Sequence, residues 1–282
     1  MIRRIASLCL TLAVAAMIAT PAMAKEKIKI VYVEWACATA SSNVMKAVIE
    51  ENLGYDVELT PVSAPAMYAA LAAGDQDALT TSWLPVTHGD MIKRYEGKIE
   101  DLGPNFEGAK IGLIVPTYVT IDSIAEMNEH AKKFDREIIG IDPGAGVMIK
   151  AEEAIEHYGL SKIELVSSSG AGMTASLANR YRNKEWIAVT GWVPHWKFAK
   201  FDLKFLNDPD KVFGESETIN TFVRSGLKAD YPKVYNVLDN FKWTPAEIGE
   251  VMAMNTEDGS DVYENAKKWV AEHPDRVKTW LK

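Results

Sequence analysis

The sequence predicts an α/β fold of two lobes, each a parallel-rich sheet flanked by helices, joined by two crossover strands. Three observations carry that expectation. Apolar strand-like runs alternate with helix-like segments, the pattern of parallel sheets covered by helices. The order of segments occurs twice along the chain. A Trp with Pro two residues later also closes a buried-strand pattern twice, in Thr81-Ser82-Trp83-Leu84-Pro85 and Thr190-Gly191-Trp192-Val193-Pro194.

Met1-Ile2-Arg3-Arg4, the apolar stretch from Ile5 to about Ile18 and the small-residue site Ala22-Met23-Ala24 read as a cleaved secretory signal peptide, residues 1–24. That stretch is short for a membrane span, and no later run reaches roughly 18 apolar residues. Cys9 lies too near the charged start for a lipid-attachment cysteine. A bacterial periplasm is therefore the expected compartment. Removing Arg3 and Arg4 takes the formal net charge from −8 to −10. So acidic a chain, with no basic block, argues against nucleic acid and against a polyanionic ligand. Processing the 282 residues leaves 258, enough for two core-forming units. Cys37 is then the lone thiol, with no CxxC pattern, so neither an internal disulfide nor a thiolate metal site is expected.

In the first half the pattern predicts strands over 27–33, 56–62 and 78–81, with helices over 41–51 and 65–73 between them. The second half predicts strands over 137–142, 163–167 and 187–190, with helices over 147–158 and 172–180. Details repeat as well. Each first helix closes at a glycine, Gly54 and Gly159, and each second helix carries a similar Met-to-Leu face, Met67 to Leu71 and Met173 to Leu177. Between the halves, Ala109 to Pro116 reads as the first crossover strand and Ser123 to Lys133 as a helix. Thr218 to Arg224 is a second extended segment, followed by helices over 231–241, 245–254 and 261–273 that pack back on the first lobe. The expected organisation is lobe 1 over 25–112 plus 217–282 and lobe 2 over 113–216, joined by a hinge and not a tether.

Ligands of open α/β sheets bind beyond the carboxyl ends of the strands. Trp35, Trp83 and Trp192 stand at such ends, whereas Trp186, Trp243, Trp269 and Trp280 lie in apolar or helical contexts and read as packing residues. Trp196 follows the second strand end by four residues and fits either side. An indole face attracts cations, and an aromatic cage suits quaternary ammonium, which has no N–H to donate. Each desolvated ring contact contributes about 2 kcal/mol, so three give about 6, short of the roughly 8 that micromolar binding needs. A second group on the ligand must also be held. The turn Asp142-Pro143-Gly144-Ala145-Gly146-Val147, between a strand and a helix, offers free backbone N–H groups to an anion. It lacks both the third glycine of a dinucleotide fingerprint and a Walker lysine. His88, five residues after Trp83, is a further candidate donor to a carboxylate.

With these residues in view, the chain resembles the glycine betaine/proline betaine substrate-binding proteins of bacterial ABC transporters. The motifs are Val31-Tyr32-Val33-Glu34-Trp35, Ser82-Trp83-Leu84-Pro85-Val86-Thr87-His88, Gly140-Ile141-Asp142-Pro143-Gly144-Ala145-Gly146-Val147-Met148 and Thr190-Gly191-Trp192-Val193-Pro194-His195-Trp196. The resemblance covers the whole mature chain. It implies a two-lobed periplasmic binding protein of type II-like fold, with no cofactor or metal and no reaction. It implies a monomer that captures a small betaine and delivers it to the membrane permease of an ABC importer. Trp35, Trp83 and Trp192 would surround the trimethylammonium head, the backbone N–H groups of Gly146 and Val147 would hold the carboxylate, and His88 would assist.

One stretch departs from the family. After Trp35 the residues Ala36-Cys37-Ala38-Thr39-Ala40 are small and nearly neutral where relatives often carry polar or acidic ones. A roomier pocket that also admits carnitine, proline betaine or a sulfonium analogue is the expectation. Two rivals are a choline binder of the same fold and a secreted cysteine hydrolase using Cys37 with His88 or His195. Neither histidine shares a local signature with Cys37.

Overall fold

The computed structural model describes residues 26–282; the expected signal peptide over 1–24 lies outside the described residues. The chain runs β1 (Lys27–Tyr32), α1 (Ala36–Leu53), β2 (Asp56–Pro61), α2 (Ala64–Ala73), β3 (Ala78–Leu84), α3 (Gly89–Lys93) and β4 (Ile99–Pro116). It continues through β5 (Glu137–Ile139), α4 (Gly146–His157), β6 (Glu164–Val166), α5 (Gly170–Arg182), β7 (Ala188–Val193), α6 (Lys197–Lys200) and β8 (Leu203–Phe205). The last part is β9 (Glu217–Arg224), α7 (Leu227–Asp230), α8 (Pro232–Asn240), α9 (Pro245–Met254), α10 (Val262–Glu272) and α11 (Pro274–Trp280).

The strands follow the order β2-β1-β3-β9-β4-β7-β5-β6, with β8 beside β4. This order contains the repeat that the sequence announces. The first three strands pair in parallel as β2-β1-β3 and the later three as β6-β5-β7, and each trio is closed by an antiparallel neighbour, β9 on β3 and β4 on β7. All but the last residue of β3, and of β7, are buried, as expected for strands covered on both faces.

β4 belongs to both sheets. Its first part, Ile99 to Ala109, pairs with β9, and Lys110 to Ile114 then pair with β7. The register against β9 shifts between Glu107 and Ala109, where Gly108 adopts φ +80°. Only glycine takes that conformation without strain, and the resulting bulge redirects the strand from one sheet to the other. The return passage runs through the turn-rich segment 206–216 into β9. Of the five helices after β9, α8, α9 and α10 pack on α1 of the first lobe. Trp269 and Trp280 stack there at 6.0 Å, and Trp243 meets Trp269 edge-on at 6.3 Å.

Two expectations need correction. The segment 123–133 is not an α-helix: it forms two short 3-10 turns, Ile124–Glu126 and Ala131–Phe134. Ile124, Met127, Ala131 and Phe134 are all buried, so their spacing does mark one apolar face. Separate tight turns meet that spacing as well as a continuous helix does, and the Ser123–Glu126 capping box closes the first turn on itself. Helix α1, in turn, begins at Ala36 and not at Ser41. The small residues after Trp35 are its first turn, where Cys37, Ala38 and Ala40 are buried in tight packing against the core.

Candidate functional site

Trp35 is the N-cap of α1, Trp83 lies near the end of β3, and Trp192 lies near the end of β7. All three are under a tenth exposed, and together they line one small cavity. His88, Gly146 and Val147 line the same cavity, so all six residues singled out in the sequence converge. Ile111, Ile141, Ala145 and Thr87 complete the wall, which therefore contains no charged side chain.

The two lobes meet around this cavity. The Trp35 indole N–H donates to Asp142 Oδ1 at 3.1 Å, tying the first lobe to the loop before α4. A Cβ on Gly146 would stand 2.3 Å from the carbonyl oxygen of Thr87, so only glycine allows the two backbones to come this close. Gly146 and Val147 are the first two residues of α4, where backbone N–H groups have no helical acceptor and the helix dipole is positive.

His88 is fully buried, and its donor is set by its neighbours. The backbone N–H of Trp83 donates to His88 Nδ1 at 3.1 Å, and the Tyr68 hydroxyl lies 2.9 Å from the same nitrogen while donating to Ser82 Oγ at 2.8 Å. With Nδ1 accepting, the proton of a neutral ring sits on Nε2, which has no partner among the described residues. Burial pushes the imidazole down to about 3, so the ring is neutral across the physiological range. Among the described residues the indole N–H of Trp83 is also buried without a partner. A small, uncharged, aromatic cavity with unused N–H donors can hold a diffuse cation at one end and an anion at the other.

Several residues that shape the site are not marked in the sequence. The buried Glu217 carboxylate accepts the backbone N–H groups of Val86 and Thr87, both at 2.8 Å, and the Thr87 hydroxyl. It fixes the loop carrying His88 from a position 130 residues away. Asp142 orients Trp35. Lys197 stands buried against Trp192, its Nζ 4.3 Å from the ring centroid. The partners of Glu217 and Asp142 are distant in sequence, and nothing local to Lys197 marks it as buried. The rival nucleophile fares differently: Cys37 is buried and its thiol is pushed up to about 11 by burial, the opposite of an activated thiolate. It lies outside the cavity wall, as does His195.

Two lobes closing on a small aromatic cavity, at the strand ends of a duplicated α/β sheet, define a bilobal solute-binding protein of the periplasmic type. The chain belongs to the family of substrate-binding domains of ABC-type glycine betaine transport systems, whose sequence pattern it matches over residues 26–272. Its fold is similar to a glycine betaine, L-proline ABC transporter binding protein from Borrelia burgdorferi, with TM-score 0.88 and 41% identity over 91% of this chain and 97% of that one. It is also similar to a lactococcal binding protein in its closed conformation with glycine betaine, with TM-score 0.86 and 39% identity over 92% and 100% of the two chains. An ABC-transporter choline binding protein in complex with choline gives TM-score 0.84 at 27% identity, over 90% of this chain and 91% of that one. A glycine betaine/carnitine transport binding protein from Listeria monocytogenes is 50% identical over 145 residues, 51% of this chain and 48% of that protein. The match thus spans about half the length of that relative.

Proposed function

We propose that the chain is the periplasmic substrate-binding protein of an ABC importer and captures a betaine-type quaternary ammonium solute, glycine betaine or proline betaine. Trp35, Trp83 and Trp192 surround the ammonium head, the N–H groups of Gly146 and Val147 hold the carboxylate, and His88 donates to it through Nε2. The observation that carries this reading is the convergence, in one uncharged cavity, of three indoles with the open helix end and the unused His88 donor. The lobes are proposed to divide as 25–112 plus 217–282 and 113–216, and to close on the ligand as a hinge. A monomer then delivers the solute to the membrane permease, without cofactor or metal and without catalysing a reaction.

Binding energies separate this from the choline reading, which the choline-bound neighbour raises. Exchanging a carboxylate for a neutral hydroxyl loses charge-assisted hydrogen bonds worth roughly 1.5–3 kcal/mol each. Two such bonds imply at least about a hundredfold preference for the betaine. Calorimetric titration with glycine betaine, proline betaine, carnitine, choline and dimethylsulfoniopropionate tests it. A betaine preference of that size is expected; equal affinity for choline and glycine betaine moves the assignment to a choline binder.

A further inference from the structure

We propose that Lys197 is a specificity-determining residue, whose amino group, held against the face of Trp192 turned away from the cavity, selects zwitterionic over singly cationic quaternary ammonium solutes. The inference rests on the ligand reading above. Lys197 is fully buried, and among the described residues its Nζ has neither a hydrogen-bond partner nor a carboxylate within ion-pair reach. The nitrogen lies 4.3 Å from the Trp192 ring centroid and 5.9 Å from that of Phe198. Trp192 lines the cavity and Lys197 does not, which we read as the amino group standing behind the indole from the ligand.

A buried lysine without a carboxylate is costly in its charged form and is retained only where something else on the molecule sets its surroundings. The titratable groups facing it are the Cys37 thiol from α1 and the His195 ring from the turn before α6. Burial pushes the Lys197 ammonium down to about 7, against a weaker upward pull from Cys37. Burial holds Cys37 up at about 11 and His195 well below its ordinary value, with the Lys197 charge lowering His195 further. Across the cavity, His88 is likewise neutral. Around Trp192, Lys197 is therefore the group that changes charge near neutrality.

When it is protonated, Trp192 carries a cation on each face once a quaternary ammonium binds. The second cation stands at about twice the distance of the first, across a partly polarised ring. For a ligand with a single positive charge the repulsion is uncompensated and weakens binding on the order of tenfold. A zwitterion brings its carboxylate to the far end of the cavity, and attraction to that group offsets most of the repulsion. Below neutrality the amino group thus discriminates against choline-like cations; well above neutrality it is neutral and does not.

Wild type and Lys197→Met are titrated by calorimetry with choline chloride and with glycine betaine, at about one pH unit below and two above the Lys197 value of about 7. Methionine keeps an unbranched side chain of similar length in the same packing. At the lower pH the substitution is expected to tighten choline on the order of tenfold and glycine betaine by at most about threefold. At the higher pH the two proteins are expected to match for both ligands. Equal changes for both ligands at both pH values would reveal a packing effect and overturn the proposal, as would no change at all. A wild-type protein that binds neither ligand at the higher pH overturns the ligand reading itself. The wild type alone supplies a second test near neutrality: choline titrated in two buffers of different ionisation enthalpy should release a proton on binding, and glycine betaine distinctly less. Equal proton release for both sinks the idea without any variant.

Discussion

The turns after β3 and β7 are two copies of one design that end in different chemistry. In the first, His88 stands five residues after Trp83; in the second, Lys197 stands five residues after Trp192. Both side chains are fully buried. The His88 ring is oriented by Tyr68 and by the Trp83 backbone, and it leaves one N–H unused beside the cavity. The Lys197 amino group is stranded behind its tryptophan. A carboxylate from β9, Glu217, pins the first turn, whereas the second has no such anchor: the Lys197 backbone N–H bonds the neighbouring His195 Nδ1 at 3.1 Å. The duplicated motif therefore places a ring at a strand end, and the surroundings decide whether the residue behind it faces the ligand or the ring.

The largest expected effects treat the two copies alike. Trp83→Ala, Trp192→Ala and Trp35→Ala should each weaken glycine betaine at least about thirtyfold, since each removes about 2 kcal/mol of desolvated ring contact. Fluorescence or calorimetric titration measures this, and near-normal affinity in any two of the three breaks the cage. The next effect belongs to one turn only. Glu217→Ala strands the Val86 and Thr87 donors and should cost about 1–3 kcal/mol of stability for each donor left unpaired, read by urea unfolding. A loss of betaine affinity should accompany it, because His88 rides on that turn; unchanged affinity would separate the anchor from the site.

The two copies should also differ in their dependence on pH. In the unfolded chain His88 titrates near its ordinary 6.5, and in the fold burial pushes it down to about 3. Folding therefore favours the neutral ring. Its contribution is fully present above about 6.5 and is lost as pH falls toward about 3, at up to about 1.4 kcal/mol per pH unit. Melting temperatures of wild type and His88→Gln across that window should differ in slope; parallel curves would show that His88 does not carry the dependence. On the ligand side, His88→Ala should weaken glycine betaine roughly tenfold and leave choline nearly unchanged, as expected for one charge-assisted hydrogen bond to a carboxylate. The smallest effect is expected outside both turns. Cys37→Ser should bind within about twofold of wild type, since the thiol does not line the cavity.

Much of this molecule is legible in the order of its residues. Strand and helix periods, the glycines that close α1 and α4, and a Trp at three strand ends are local patterns, and local patterns specify elements and the faces they bury. The repeat of those patterns was enough to expect two matching sheets and a ligand site between them. Local reading failed where one spacing serves two conformations, as in the 3-10 turns over 124–134, and where small residues can start a helix or extend a loop, as at Ala36 to Ala40. Other features were decided only in three dimensions. Asp142 meets the Trp35 indole across 107 residues, and Glu217 reaches Thr87 across 130. Nothing in the local sequence marks Lys197 as buried, yet it is fully buried. Burial and pairing of a charged group depend on what the fold packs around it, and those neighbours come from segments whose proximity no local pattern encodes.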